Sequence, residues 1–287
     1  MSSSKQLRRH FVAALLALLC ALAAAGAATF AWYVFNTSAH TTTVRMAAGA
    51  GASLQISNAL NGTFGSATEM AKFEGSLNPV STDSISAGFQ KVSGFTNGQA
   101  NQSSIVANLF GASEESDYYS TKLYLRTNAQ NVGVYIADIS YEDSDAENPI
   151  STAIRVGIVP HEAGSGSAVT GEYIFAINTA HQSQAEYNTA SGTAGDVLDS
   201  RYTNGTTIAF SPYTAENFCS YSSETGEVTL KDNSVRLCVL SGNDEEYGDP
   251  VEVDIYIWLE GCDEDCTGSL AQTTLKNLSI SFVGLAE

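Results

Sequence analysis

Positive charge is scarce in this chain. Its 287 residues hold 13 Lys and Arg against 31 Asp and Glu, a formal charge of −18. A polyanionic partner needs clustered Lys and Arg to displace its counterions, so the balance argues against nucleic-acid binding. Proline is scarce too, at 5 residues, and no fixed-period repeat occurs, which argues against a solenoid. Catalytic signatures are missing as well. No HExxH helix, GxSxG elbow, GxxxxGK[ST] loop or GxGxxG turn is present, and of the 4 histidines His161 and His181 fall in loop-like sequence where a solvated imidazole is the default. The expectation is a non-enzymatic protein.

What is present is unevenly placed. Lys5, Arg8 and Arg9 stand at the N-terminus, whereas the first acidic residue is Glu69. Without those three cations the remainder carries 10 Lys and Arg against 31 Asp and Glu, a charge of −21. Directly after them, residues 11–35 read FVAALLALLCALAAAGAATFAWYVF, with no charged or amide side chain. A cationic flank followed by such a run is the form of a secretory signal or a signal anchor. The run is long enough to span a bilayer, yet Ala25, Gly26 and Ala27 supply the small residues a signal peptidase prefers, so residues 1–35 read as a signal peptide or signal anchor. The implied partners are a signal peptidase and, if the segment is uncleaved, the membrane through residues 11–35. The protein is then exported across the cytoplasmic membrane to the cell surface or beyond. Cys20 lies inside the apolar run and reads as an ordinary member of it.

From residue 36 onward the two-residue alternation of half-buried strands replaces helical periodicity. In residues 251–259 (VEVDIYIWL), Val251, Val253, Ile255, Ile257 and Leu259 face one way and Glu252, Asp254, Tyr256 and Trp258 the other. One face is core, and the other is wet or covered. Similar runs lie at 122–127, 133–141, 153–159, 172–178, 206–210, 228–230, 235–240 and 275–283, separated by polar turns. Many short strands with few prolines predict an all-β fold, an antiparallel β-sandwich or jelly-roll with long loops, filling an extracellular domain over 36–287. Residues 41–46 and 53–56 are expected to form the first strand pair, with 47–52 as a small-residue loop. Irregular insertions are expected at about 62–108 and 161–201, the second holding a short helix near 194–200.

Four cysteines remain in the exported part: Cys219, Cys238, Cys262 and Cys266. An even number in a secreted chain predicts disulfides, and closeness in sequence favours Cys219–Cys238 and Cys262–Cys266. The loop after 251–259 reads EGCDEDC. Its carboxylates Glu260, Asp263 and Asp265, on a turn pinned by Cys262–Cys266, could converge on one hard cation; no cofactor is required, and Ca²⁺ is the ion such oxygens take. A second acidic cluster spans Glu142, Asp143, Asp145 and Glu147. Tyr256 and Trp258, on the non-core face, could form an aromatic surface for a sugar or a neighbouring subunit.

Two stretches carry a family resemblance. Ala28-Thr29-Phe30-Ala31-Trp32 leads through a polar link to Gly51-Ala52-Ser53-Leu54-Gln55-Ile56-Ser57, and near the C-terminus stands Ile255-Tyr-Ile-Trp258-Leu-Glu260-Gly-Cys-Asp263-Glu-Asp265-Cys266. The N-terminal stretch resembles the junction of the camelysin/TasA-type secreted surface and biofilm-matrix proteins of Gram-positive bacteria. The C-terminal stretch is similar to a segment of bacterial surface proteins with the same start. The resemblance implies a jelly-roll domain, cleavage by a dedicated signal peptidase, and a fibre subunit that assembles with copies of itself. In such fibres one subunit's N-terminal strand completes the next subunit's sheet. The peptidase label attached to part of that family finds no zinc-protease motif here. The leading expectation is an exported acidic structural protein of a cell surface or extracellular matrix. The alternative is a membrane-tethered glycan-binding adhesin using the acidic Ca²⁺ loop.

Overall fold

The computed structural model describes residues 43–48, 54–71, 77–82, 84–92, 110–164, 168–179, 197–198, 209–210, 212–261, 263, 265–266, 270 and 275–286, together with Ala14. The export segment 1–35 therefore lies outside the described residues apart from Ala14. Among the described residues no helix is long and apolar enough to cross a membrane.

The described chain beyond residue 42 is all-β. Its first strands are short: β1 (Thr43–Ala48), β2 (Leu54–Ser57), β3 (Ala67–Glu69), β4 (Pro79–Ser81), β5 (Gln90–Val92) and β6 (Phe110–Ala112). Then come β7 (Tyr119–Thr127), β8 (Val132–Asp143), β9 (Ile154–Pro160) and β10 (Tyr173–Ala176). Two-residue pieces follow as β11 (Val197–Leu198), β12 (Ala209–Phe210), β13 (Ser220–Tyr221) and β14 (Val228–Thr229). The last three are β15 (Arg236–Leu240), β16 (Val251–Glu260) and β17 (Leu275–Ala286). Each expected run from 122–127 to 275–283 thus overlaps a strand. The helix expected near 194–200 is described only at Val197 and Leu198, which are extended and pair with Phe210 and Ala209.

Two main sheets form. One has the order β15-β8-β17-β1-β3. In the other, β10 and β9 lead to β16, whose far edge is shared. β7 pairs with its Val251–Ile257 stretch and carries β2, while β4 pairs with Leu259 and Glu260 and leads on to β5 and β6. Among the described strands pairing is mostly antiparallel, and the parallel strand pairs are β1 on β17 and β4 on β16.

β1 and β2 do not pair with each other, contrary to the sequence expectation. β1 lies between β17 and β3, whereas β2 lies on β7 in the other sheet. Their apolar residues Val44, Leu54 and Ile56 all enter one buried cluster, reached from two sheets rather than along one edge. The same cluster takes Val134, Ile136, Ile280 and Phe282 from the first sheet and Leu123, Leu125, Val156 and Ile158 from the second. From β16 it takes Val251, Val253, Ile255, Ile257 and Leu259, the face the alternation selects. Each such Val or Ile contributes about 1.5–3 kcal/mol relative to an exposed position.

Strict alternation fails in the two longest strands, and bulges repair it. In β8 the core residues are Val132, Val134 and Ile136, then Ile139, a step of three. The β8–β17 register slips there, because Ser281 faces Asp138 and Phe282 faces Ile136, which leaves Ala137 as the extra residue. In β17 the step of three falls between Leu275 and Leu278, where the register slips again and Asn277 adopts φ 52°. An inserted residue restores the inward face on each side of the slip, and Asn is among the few side chains that tolerate positive φ.

Candidate functional site

The outer face of β16 passes through three environments. Glu252 and Asp254 lie at a polar end, Tyr256 and Trp258 in an aromatic middle, and Glu260 in a buried acidic end. Period two in the strand places all five on one side.

The aromatic middle is not an open binding surface. Trp258 is 0% exposed, and with Val80, Ile85, Val159 and Ile174 it forms a second small core against which Phe89, Tyr118 and half-buried Tyr256 pack. Phe89 stacks on Tyr118 with centroids 4.1 Å apart and meets Trp258 edge-on at 5.2 Å. The cover is the segment 77–92, part of the stretch expected to be irregular. Two carboxylates from elsewhere hold it down. Glu172 accepts hydrogen bonds from the Ile85 and Ser86 backbone N–H groups (2.9 and 3.0 Å) and from the Ser84 hydroxyl (3.1 Å). Asp117 accepts from the Asn78 amide at 2.6 Å, from Lys91 Nζ at 3.1 Å and from the Glu114 N–H at 2.8 Å. Sequence reading placed Tyr256 and Trp258 on the right side of β16 but did not find the cover, whose apolar residues are too sparse to show a period.

At the acidic end the positive charge comes from the chain itself. Arg155, fully buried on β9, donates through its guanidinium to Asp263, and also to the Thr152 and Ile154 carbonyls at 3.0 and 3.1 Å. Asp263 in turn accepts the Asp265 N–H at 2.9 Å, and Glu260 accepts the Trp258 indole N–H at 3.0 Å. The turn closes by N–H to carbonyl bonds from Asp263 to Glu260 and from Cys266 to Asp263. Glu260 and Asp263, two of the carboxylates expected to converge on Ca²⁺, are buried, Asp263 held by the guanidinium and Glu260 by the indole. A sequence signal for this existed. Arg155 is the one charged residue in the strand Ile154–Pro160, and a buried cation requires a carboxylate.

The expected Cys219–Cys238 disulfide is not formed: Cys219, Cys238 and Cys266 are free thiols. Cys219 packs with Tyr135 and Val283, and its Sγ–H donates to the Ile136 carbonyl at 3.3 Å. Cys238 sits opposite Val134 and packs against the main core. Val134 and Tyr135 are successive residues of β8 and point to opposite faces, so the sheet itself separates the two sulfurs. For the second expected pair, Cys262 lies outside the described residues. Burial pushes all three thiols up, Cys238 to about 12 and Cys266 well above the ordinary range.

A cluster that sequence reading missed occupies the polar end. His161, directly after β9, donates its backbone N–H to the Glu252 carbonyl at 2.9 Å, and its Nε2 lies 3.0 Å from Asp254 Oδ2. Lys122 on β7 faces Asp254 in register and reaches Glu252 Oε1 at 2.5 Å and Asp254 Oδ1 at 3.8 Å. Burial pushes the Glu252 carboxyl up, but the hydrogen bonds from Lys122 and Tyr124 outweigh it and hold the group below the usual range. His161 is separated from Glu252 and Asp254 by about ninety residues, so only the pairing of β9 with β16 brings the three together. In the acidic cluster at 142–147, Asp145 is used locally, accepting the Glu147 and Asn148 N–H groups.

Comparison with family models, with curated proteins and with solved structures finds no match for this chain.

Proposed function

We propose that the protein is an exported, acidic structural component of a bacterial cell surface or extracellular matrix. Its two sheets form a β-sandwich of the jelly-roll kind, and the chain is a fibre subunit that assembles by exchange of its N-terminal strand. The observation that carries this reading is the place of β1. It runs parallel to β17 over six register pairs, from Thr43 with Ser279 to Ala48 with Gly284, while β3 covers only Thr43–Arg45 on its other side. Removing β1 would leave an open slot beside the C-terminal strand, and a neighbouring copy's β1 carries the same residues to fill it.

A charge of −21 opposes the approach of copies, so salt and divalent cations promote assembly by screening. The adhesin alternative draws on Tyr256, Trp258 and a Ca²⁺-loaded acidic loop. It is the weaker reading because Trp258 is covered and Asp263 is committed to Arg155. The test is removal of the residues before Met46. The truncated chain is expected to form no fibres under salt conditions where the mature chain does, and polymerisation of the truncated chain would refute strand exchange.

A further inference from the structure

We infer that His161, Glu252 and Asp254 form a binding site for a divalent transition ion of the zinc class. The site is independent of strand exchange. One ligand atom from each of the three lies within 4.8 Å of the others, close enough to share one ion. Two of the ligands sit on β16, and the third directly follows its partner strand β9. Glu252 and Asp254 are two apart on β16, and His161 is fixed beside them by its backbone bond to the Glu252 carbonyl.

The set has spare coordinating capacity. The His161 side chain is only 10% exposed, and among the described residues its Nδ1 has no hydrogen-bond partner, so Nδ1 can carry the ring proton and leave the lone pair of Nε2, which faces Asp254, for a metal. Among the described residues Asp254 Oδ1 likewise has no hydrogen-bond partner and meets only the Lys122 charge at 3.8 Å. Lys122 already holds a positive charge at this position, and its side chain is 57% exposed, so it can swing into solvent when a dication takes its place.

The donor set selects the ion. One imidazole nitrogen with two carboxylate oxygens suits zinc and its neighbours, whereas Ca²⁺ and Mg²⁺ prefer sites made of oxygen alone. Three protein ligands leave a fourth position for water.

The experiment is a Zn²⁺ titration of the full-length chain by calorimetry in excess Ca²⁺ and Mg²⁺, with Co²⁺ absorption as a second probe. A saturable Zn²⁺ site is expected that His161→Gln and Glu252→Gln each weaken by at least about tenfold. Those two variants should also lose the visible Co²⁺ bands of a nitrogen- and oxygen-ligated site. Lys122→Met removes the competing ammonium and no ligand, so it should tighten Zn²⁺ binding. Zn²⁺ binding unchanged by His161→Gln would show that thiols or scattered carboxylates hold the metal and would overturn the assignment. So would full competition by Ca²⁺, or weakened binding in Lys122→Met.

Discussion

A β-carbon placed on Gly157 would stand 2.5 Å from Cδ1 of Ile85. It would also lie 3.0 Å from the Trp258 ring. Gly157 is therefore the gap in β9 through which the covering segment reaches the outer face of the sheet. Gly157→Ala is expected to destabilise the fold by about 1–3 kcal/mol, the usual cost of overpacking. A urea unfolding curve reads that loss, and the Trp258 fluorescence should shift to the red as the cover lifts. An unchanged midpoint with unchanged emission would show that the cover is not seated there.

The ion pair of Arg155 with Asp263 predicts a strong asymmetry between single and double substitutions. Arg155→Met alone takes the guanidinium from the buried Asp263 carboxylate and should cost about 3–5 kcal/mol. Arg155→Met combined with Asp263→Leu removes both charges and should recover most of that loss. Equal loss in the single and double variants, measured by chemical denaturation, would mean that the pair is not coupled.

Asp117 gives stability a dependence on pH. Burial alone would raise its carboxyl, but the Glu114 N–H, Lys91 and Asn78 outweigh that effect and hold it below its ordinary 3.8. Because the folded value is depressed, the unfolded chain takes up the proton first as pH falls. The stabilisation is complete above the ordinary value and disappears as pH drops through the folded one. The advantage of the wild-type chain over Asp117→Asn should therefore be greatest near neutrality and shrink below about pH 4. Urea midpoints of the two proteins across that range provide the check, and a constant difference would contradict the assignment.

The thiols make the fourth prediction. In the folded protein Cys219 and Cys266 should resist alkylation, since burial keeps them protonated and covered, and half-buried Cys238, its thiol pushed up to about 12, should react slowly. In denaturant without reductant they should react at once. If no thiol appears there, the cysteines are paired and the expectation from sequence is restored.

How far the fold could be read from sequence differs from strand to strand. In β16 nothing interrupts the alternation, so its inward and outward residues were all legible. In β8 and β17 the alternation slips at Ala137 and around Asn277, and single-residue bulges leave only a step of three in the apolar pattern. Pairing was less legible than strand position, because β1 and β2 are neighbours in sequence yet join different sheets, and short alternating runs carry no record of their partners. The acidic loop was legible as a place where charge gathers, but its counter-charge, Arg155, lies 108 residues away. The disulfide expectation failed for a related reason. Separation along the chain does not say which face of a sheet each sulfur occupies.

The parallel seat of β1 on β17 has a consequence for the order of folding. Thr43 and its partner Ser279 stand 236 positions apart, so the first described strand to be synthesised is among the last to find its place. Until β17 arrives, the pairings open to β1 among the described residues are the three offered by β3. During that interval it is an unclaimed strand, open to whichever matching edge it meets first.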